Sequence, residues 1–277
     1  MTETQKASKT ILLIALLVVF ISSLVASRIQ VSGGRVDVRD IKIPAHNGQW
    51  VVAELFRPAS ATSENPATLV VVITGFQSSK DALSNIAREL SRRGVVVILI
   101  DPYAQGFSSA SMSRRAATTE GYGMFAIVDY AASSSNLNYI DKSRIGATGH
   151  SAGGNAAIRG ASDFGREAIE TGTPSKLQSV FVSGYVLTLT DKVLQDVRSN
   201  VGVSYAFYDE GAYRNELKNG DMRHAPEALR AVNSGLVPDA PAIDEVELGR
   251  YYGDKDRRTL RVVHNEMVLH PFQPYIT

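Results

Sequence analysis

The residue of this chain whose sequence context most favours a catalytic role is a serine between two glycines. The stretch Gly149-His150-Ser151-Ala152-Gly153 is a G-x-S-x-G pentapeptide. Glycines on both sides of the serine let the backbone turn sharply without side-chain clashes, so that the hydroxyl stands exposed. An oxyanion that forms on a substrate would be stabilised by the amide of Ala152, at the start of the following helix. The pattern therefore predicts that Ser151 is a nucleophile.

The segments around the pentapeptide fit this interpretation. Such a serine needs a strand before it and a helix after it. The residues Arg144 to Thr148 are typical of a short buried strand, and a helix is predicted from Ala152 onward. The context therefore supports a strand–turn–helix with Ser151 at the turn.

The rest of the chain predicts the sheet that would hold this turn. Two segments with strand spacing, from Val36 to Ile43 and from Trp50 to Phe56, flank the turn His46-Asn47-Gly48 and predict an antiparallel hairpin. Continuous apolar runs then alternate with helical patterns, which indicates a mostly parallel, doubly wound α/β sheet. These segments are a strand at Leu69–Ile73, a helix at Ser78–Arg93, a strand at Val95–Ile100, a helix at Tyr122–Ala132, and strands at Gln178–Ser183, Val201–Tyr208 and Leu260–Val263. We interpret residues 211–256 as an insertion before the last strand.

Residues 141–154, DKSRIGATGHSAGG, resemble the nucleophile-elbow region of the α/β-hydrolase superfamily, in its dienelactone-hydrolase-like and acyl-peptidase-like esterase branches. Gly75-Phe76 is similar to the oxyanion loop of those enzymes, and residues 101–108 are similar to the loop after their fourth strand. The resemblance covers residues 36–210. It implies an α/β-hydrolase fold, no cofactor, and a second oxyanion donor in the backbone N–H of Phe76, assisted by Gln77. The alternative for Phe76 is that it packs under the site. One departure is Thr74, where the family usually has histidine.

The serine needs a histidine as its base, and three of the five histidines follow Ser151. His224 lies in the polar insertion, where we expect solvent. His264 stands at the end of the predicted last strand, and His270 lies in the loop beyond it. We favour His270, because related enzymes often carry the base in that loop, and keep His264 in reserve. We do not expect His150 to be the base, because the side chain at that position of the motif usually points away from the hydroxyl.

A carboxylate must orient the base, and in chain order it is expected between the serine and the histidine. Asp209 directly follows the strand predicted at Val201–Tyr208, so its side chain is expected to point into the crevice at the carboxyl end of the sheet. Asp209 is the predicted acid, with Glu210 in reserve. Asp101 ends an earlier strand and is expected to shape the pocket.

The N-terminus predicts a membrane-related segment. Residues 1–9 form a tail, and residues 10–29 contain the uncharged run TILLIALLVVFISSLVA, long enough to span a bilayer. We expect a signal anchor with the domain, residues 30–277, outside the cytoplasm at the cell membrane. The alternative is a signal peptide cleaved near Ser27, which would give a secreted protein.

Composition excludes several other classes of protein. The net charge of +1 gives no electrostatic case for nucleic acid. The chain has no cysteine, so thiolate catalysis and cysteine-bound zinc are excluded, and no other metal-binding or nucleotide-binding motif is present.

We therefore expect a membrane-anchored serine hydrolase that cleaves a small ester or related acyl compound. Peptidase, thioesterase and acyltransferase variants would use the same residues, so they stay open. The alternative function is a non-catalytic binding or scaffold module of the same fold at the cell surface. The chain ends soon after His270, where the fold is expected to continue into a closing helix, which leaves open that it is a fragment of a longer protein.

Overall fold

Nine strands form a single mixed sheet in the computed structural model, which describes residues 3–45, 48–111, 113, 116–237, 239–253 and 263–268. The spatial order of the strands is β1-β2-β4-β3-β5-β6-β7-β9-β8. The strands are Val36–Pro44 (β1), Trp50–Pro58 (β2), Ala67–Ile73 (β3), Val96–Ile100 (β4), Ile140–His150 (β5), Ser179–Ser183 (β6), Asn200–Ala206 (β7), Tyr251–Tyr252 (β8) and Val263–Val268 (β9). The helices are Glu3–Gln30 (α1), Ser84–Arg92 (α2), Ala116–Thr119 (α3), Met124–Ser133 (α4), Ala152–Thr171 (α5), Asp191–Leu194 (α6) and Pro226–Asn233 (α7).

The direction of the strands confirms the predicted fold class. Strands β3 to β7 and β9 run parallel to one another, whereas β1 and β2 form the antiparallel hairpin predicted at the N-terminal edge. Residues 46 and 47 of the predicted hairpin turn lie outside the described residues. All five residues of β4 are buried, as expected for a strand that is covered on both faces. The carboxyl ends of the parallel strands therefore meet at one edge of the sheet, which we call the catalytic edge.

The helix predicted at Ser78–Arg93 differs from the structure at its start. The helix predicted from Ser78 begins as a short 3-10 turn at Lys80–Leu83 and becomes α-helical only at Ser84. The hydroxyl of Ser79 donates to the carboxylate of Asp81 at 3.0 Å in this turn. Gly94, with a φ of +88°, follows the end of the helix.

The last parallel strand was predicted too early in the chain. It runs over Val263–Val268, whereas the prediction was Leu260–Val263, and residues 260–262 lie outside the described residues. His264 is therefore the second residue of β9, and it does not follow the strand. The short strand β8, antiparallel to β9 at the sheet edge, was not predicted.

Helix α1 has the length and apolar composition of a membrane-spanning segment, and none of its apolar residues is buried by the rest of the protein. A signal peptide near an N-terminus has the same properties. The helix therefore fits either a signal anchor or a signal peptide.

Candidate active site

Ser151 lies alone between the last residue of β5, His150, and the first residue of α5, Ala152. Its backbone has φ 54° and ψ −116°, which is unusual for a residue with a side chain. The amide of Ser151 donates to the carbonyl of Ser183 at 2.9 Å, and its own carbonyl accepts from the amide of Asn155 at 3.0 Å. The strained turn is thus held on both sides by backbone hydrogen bonds.

The two motif glycines are required by close contacts between backbones. A Cβ on Gly153 would lie 2.1 Å from the carbonyl oxygen of Ile73, and one on Gly149 would lie 2.4 Å from the carbonyl carbon of Gly153. Helix α5 therefore approaches the end of β3 too closely for any side chain. This approach brings the serine turn beside the loop that follows β3.

That loop carries the predicted second oxyanion donor, Phe76. The Cβ position of Gly75 is 3.4 Å from the Cβ of Ser151, so the loop lies directly beside the serine. Among the described residues, the amide of Phe76 donates no hydrogen bond. Its side chain is 70% exposed, so the alternative that Phe76 packs under the site is wrong.

Gln105, which the sequence did not single out, holds this loop in place. Its side-chain oxygen accepts a short hydrogen bond from the amide of Gln77, a residue with a positive φ of 60°. Its side-chain nitrogen donates to the carbonyls of Gly75 and Ser78, each at 3.2 Å. Three hydrogen bonds from one side chain therefore fix the backbone on either side of Phe76.

Asp101 contacts both the loop after β3 and the loop after β4. Its fully buried carboxylate accepts from the amide of Lys80 at 2.7 Å and from the amide of Phe107 at 3.1 Å, and the Lys80 ammonium lies 3.6 Å away. Asp101 thus joins the loop after β3 to the loop after β4, and its expected role in shaping the pocket stays a prediction.

Asp209 lies three residues beyond the end of β7, in a cleft of about 230 Å³ that Ser151 also lines. Its Oδ1 accepts from the amide of Gly211 at 2.9 Å. Its Oδ2 is buried and has no hydrogen-bond partner in the described part of the chain. Glu210, the reserve acid, points to solvent and forms an ion pair with Arg214. The cleft therefore contains one carboxylate oxygen without a described partner.

His150 also lines this cleft. Its Nε2 lies 3.0 Å from the position that a Cβ on Gly184 would take, and its Nδ1 lies 3.6 Å from the equivalent position at Gly75. Burial lowers the pKa of His150, and the nearby carboxylate of Asp209 opposes that shift in part. Sequence reasoning missed this residue, although its place beside Ser151 in the motif could have indicated it.

The three histidines after Ser151 have different positions. His224 is exposed, with its Nδ1 3.3 Å from the carbonyl oxygen of Asp244, as expected for the polar insertion. His264 lies in β9, where its backbone pairs with Gly202, and its side chain is outside what the structure describes. His270 lies outside the described residues.

Exposed apolar side chains gather at the catalytic edge. They follow strands β3, β4, β6 and β7 and comprise Phe76, Phe107, Leu187 and Tyr208. Large apolar side chains that share one region of surface are typical of contact sites. Over the described ranges, no group of His, Asp and Glu has the arrangement of a metal site.

Comparison with known proteins places these features in context. The model of a family described as PET hydrolase-like matches residues 23–226. No curated protein matches the chain.

The chain is similar to several solved structures. An esterase of Pyrococcus furiosus is similar over 87% of this chain and 86% of its own, with a TM-score of 0.58 and 14% identity. A dipeptidyl peptidase 4 of Porphyromonas gingivalis is similar over 64% of this chain and 28% of its own, with a TM-score of 0.50 and 14% identity. The match with a dienelactone hydrolase of Anabaena variabilis covers 63% of this chain and 76% of that enzyme's chain, with a TM-score of 0.49 and 17% identity.

Proposed function

This chain belongs to the PET hydrolase-like family, and from that premise we propose that it cleaves carboxylic esters through an acyl-enzyme on Ser151. The family makes the chain an ester-hydrolysing enzyme of the α/β-hydrolase superfamily, which argues against the non-catalytic alternative. One observation carries the proposal. Ser151, on a strained turn, shares a cleft with a buried carboxylate oxygen of Asp209 that has no described partner.

In the first step, Ser151 Oγ attacks the ester carbonyl carbon while the base removes the hydroxyl proton. The C=O electron pair moves to oxygen, and the amides of Phe76 and Ala152 stabilise the resulting oxyanion. The amide of Ala152 is free for this role because the first amides of a helix have no partner within it. Collapse of the intermediate breaks the ester C–O bond, and the alcohol leaves with the proton from the base.

The second step returns the free enzyme. A water molecule gives its proton to the base and attacks the acyl carbon, and the same amides again stabilise the oxyanion. Expulsion of Ser151 Oγ, which regains its proton, releases the carboxylic acid. Every atom in both steps comes from the ester, water or this chain, so no cofactor is required.

The sheet register favours His270 over His264 as the base. His264 pairs with Gly202, which pairs with Phe181, which pairs with Thr148. His264 is thus level with a residue three positions before Ser151, or about 10 Å lower in the sheet at ~3.3 Å per residue. The last residue of β9, Val268, lies at the catalytic edge next to the end of β7, and His270 comes two residues later in the sequence.

Asp209 is the better candidate for orienting that base. Its Oδ2 is buried beside the catalytic edge and has no described partner, whereas the carboxylate of Glu210 is exposed and paired with Arg214. A buried carboxylate without a partner is costly, so we expect an imidazole N–H to meet Oδ2.

The substrate is an ester with an apolar or aromatic acyl group. The cleft is small, and the exposed side chains of Phe76, Phe107, Leu187 and Tyr208 surround this edge with apolar surface. An extended aromatic ester, such as the polyester in the family's name, could lie across that surface with one ester bond at Ser151.

A fluorophosphonate probe tests the nucleophile, because it forms a covalent bond with an activated serine. We expect labelling of the wild type and of Ser63→Ala, an exposed serine at the opposite edge of the sheet, and none of Ser151→Ala. The same three proteins are compared in the hydrolysis of p-nitrophenyl acetate and a bis-ester of terephthalate. Labelling that survives in Ser151→Ala would remove Ser151 from its proposed role.

For localisation, we propose that α1 stays attached as a signal anchor with the domain outside the cytoplasm. At about 1.5 Å per residue its 28 residues measure about 42 Å, more than the roughly 30 Å of a bilayer core. The apolar run also exceeds the roughly 7–15 residues usual for a signal peptide. The intact mass of the membrane-bound protein tests this, since cleavage near Ser27 would remove the helix.

A further inference from the structure

The end of α1 meets the domain at a cleft of about 700 Å³. Its walls combine apolar side chains with arginines, namely Leu24, Val25, Ile29, Arg28, Arg35 and Arg92. We propose that these three arginines, the basic foot, bind the phosphates of anionic lipid head groups and seat the domain with its catalytic edge away from the membrane.

The arginines are arranged around one short turn, Ser32–Gly34. Arg92 donates through Nε to the hydroxyl of Ser32 and through Nη2 to the carbonyl of Ile29, each at 3.0 Å. Arg35 donates through Nε to the carbonyl of Ser32 at 3.1 Å, and Nη1 of Arg28 lies 4.0 Å from the Cβ position of Gly34. The three guanidinium groups are therefore held near each other, with further N–H groups of each left for a ligand.

Positive charge exceeds negative charge in this cleft. Glu89 forms an ion pair with Arg92 at 2.5 Å. In the part of the chain that the structure describes, no carboxylate is paired with Arg28 or Arg35. Guanidinium groups suit phosphate because they can donate two parallel N–H bonds to its oxygens.

The foot lies where head groups would be. The uncharged run of α1 ends at Ala26, and Arg28 follows within the last turn of the helix. If the run spans the bilayer core, Arg28 emerges in the head-group layer, and the neighbouring turn brings Arg35 and Arg92 to the same level. Basic side chains at this level strengthen attachment to an anionic surface by about fivefold each.

The foot and the active site lie at opposite edges of the sheet. β1 begins at Val36 opposite Pro58, and α2 ends at Arg92, just before β4 begins. That is the edge where the parallel strands start, whereas Ser151 and Asp209 follow strand ends. If the proposed ester chemistry at Ser151 is correct, substrates reach it from the aqueous side, and the ester bonds of the lipids under the foot stay out of reach.

Single-cysteine labels on the full chain can test this, because the protein has no cysteine of its own. Ser63→Cys places a donor dye on the exposed loop after β2, at the foot's edge, and Tyr208→Cys places one at the catalytic edge. Energy transfer to an acceptor lipid is measured in nanodiscs of phosphatidylcholine, with and without phosphatidylglycerol. We expect phosphatidylglycerol to raise transfer from position 63 and not from position 208.

The triple variant Arg28→Gln/Arg35→Gln/Arg92→Gln should lose this rise. The control Arg223→Gln/Arg230→Gln/Arg250→Gln, which removes the same charge from the insertion, should keep it. An equal rise in the foot variant, or no rise in the wild type, overturns the proposal, as does an intact mass that lacks α1. Fluorophosphonate labelling of Ser151 in the same nanodiscs reports separately on the proposed chemistry.

Discussion

Oδ2 of Asp209 and Nε2 of His150 each lie 3.0 Å from the position that a Cβ on Gly184 would take. Gly184 has a φ of +60°, which glycine adopts without strain. The absence of a side chain there also leaves room for the carboxylate and the imidazole. The carboxylate and the imidazole thus border the same cleft as Ser151. Oδ1 of Asp209 accepts a hydrogen bond from the Gly211 amide, and Oδ2 has no partner among the described residues.

Asp209→Asn should abolish most activity. An amide cannot hold the base in the required tautomer or stabilise its positive charge, so we expect kcat to fall by about three to four orders of magnitude. Glu210→Gln is the matched control, because this exposed carboxylate pairs only with Arg214 in the described structure, and it should retain near wild-type kcat. Steady-state kinetics on p-nitrophenyl acetate decide between them, and a larger loss in Glu210→Gln would exchange their roles.

Gly153→Ala should destabilise the protein strongly. The added Cβ would lie 2.1 Å from the Ile73 carbonyl oxygen, and neither backbone can move without disturbing the sheet. We expect a loss of about 3 kcal/mol or more in the free energy of unfolding. Gly172→Ala separates steric conflict from backbone strain, since Gly172 has open space and a φ of +68°, and it should lose only about 1 kcal/mol. Urea denaturation measures both, and equal losses would contradict the close-approach argument.

Gln105→Ala should slow catalysis with little change in KM. Without its three hydrogen bonds, the loop that carries the Phe76 amide loses its fixed geometry, and we expect kcat to fall by about tenfold or more. Gln105→Glu keeps the acceptor for Gln77 but sets a negative charge against two carbonyls, so it should not restore kcat. Thermal unfolding of both variants checks that the fold is kept. An unchanged kcat in Gln105→Ala would show that the oxyanion loop does not need this clamp.

The features that the sequence predicted correctly depend on local patterns. The apolar run of β4 is typical of a strand inside a covered sheet, and the glycines at 149 and 153 indicate a turn that few other residues permit. The fold class and the strand–turn–helix at Ser151 therefore followed from short segments.

The features that the sequence did not predict depend on contacts between distant segments. Gln105 is thirty residues from Gly75 in sequence, and no local pattern marks a side chain that joins two loops. The position of His150 in the cleft was also missed. The direction of its ring depends on Gly75 and Gly184, which belong to other loops, and the motif alone does not show it. The error in β9 has a different cause, since VHNEMV contains Asn and Glu, which are depleted in strands, and only its pairing with β7 marks it as a strand.

His150 should make the protein less stable in acid. Burial lowers its pKa in the folded state below the usual value of about 6.5, so the unfolded chain binds a proton first as the pH falls. Stability from the neutral ring is therefore present above pH ~6.5 and is lost progressively below it, as the pH falls towards the lowered pKa of the folded state. His150→Gln and His150→Asn lack this titration, so the stability of the wild type relative to either variant should decrease from pH 7.5 to pH 5. Urea denaturation across that range measures the difference, and contributions of the other histidines cancel in it. A wild type that gains stability relative to both variants in acid would mean that the Asp209 carboxylate, and not burial, dominates the environment of His150.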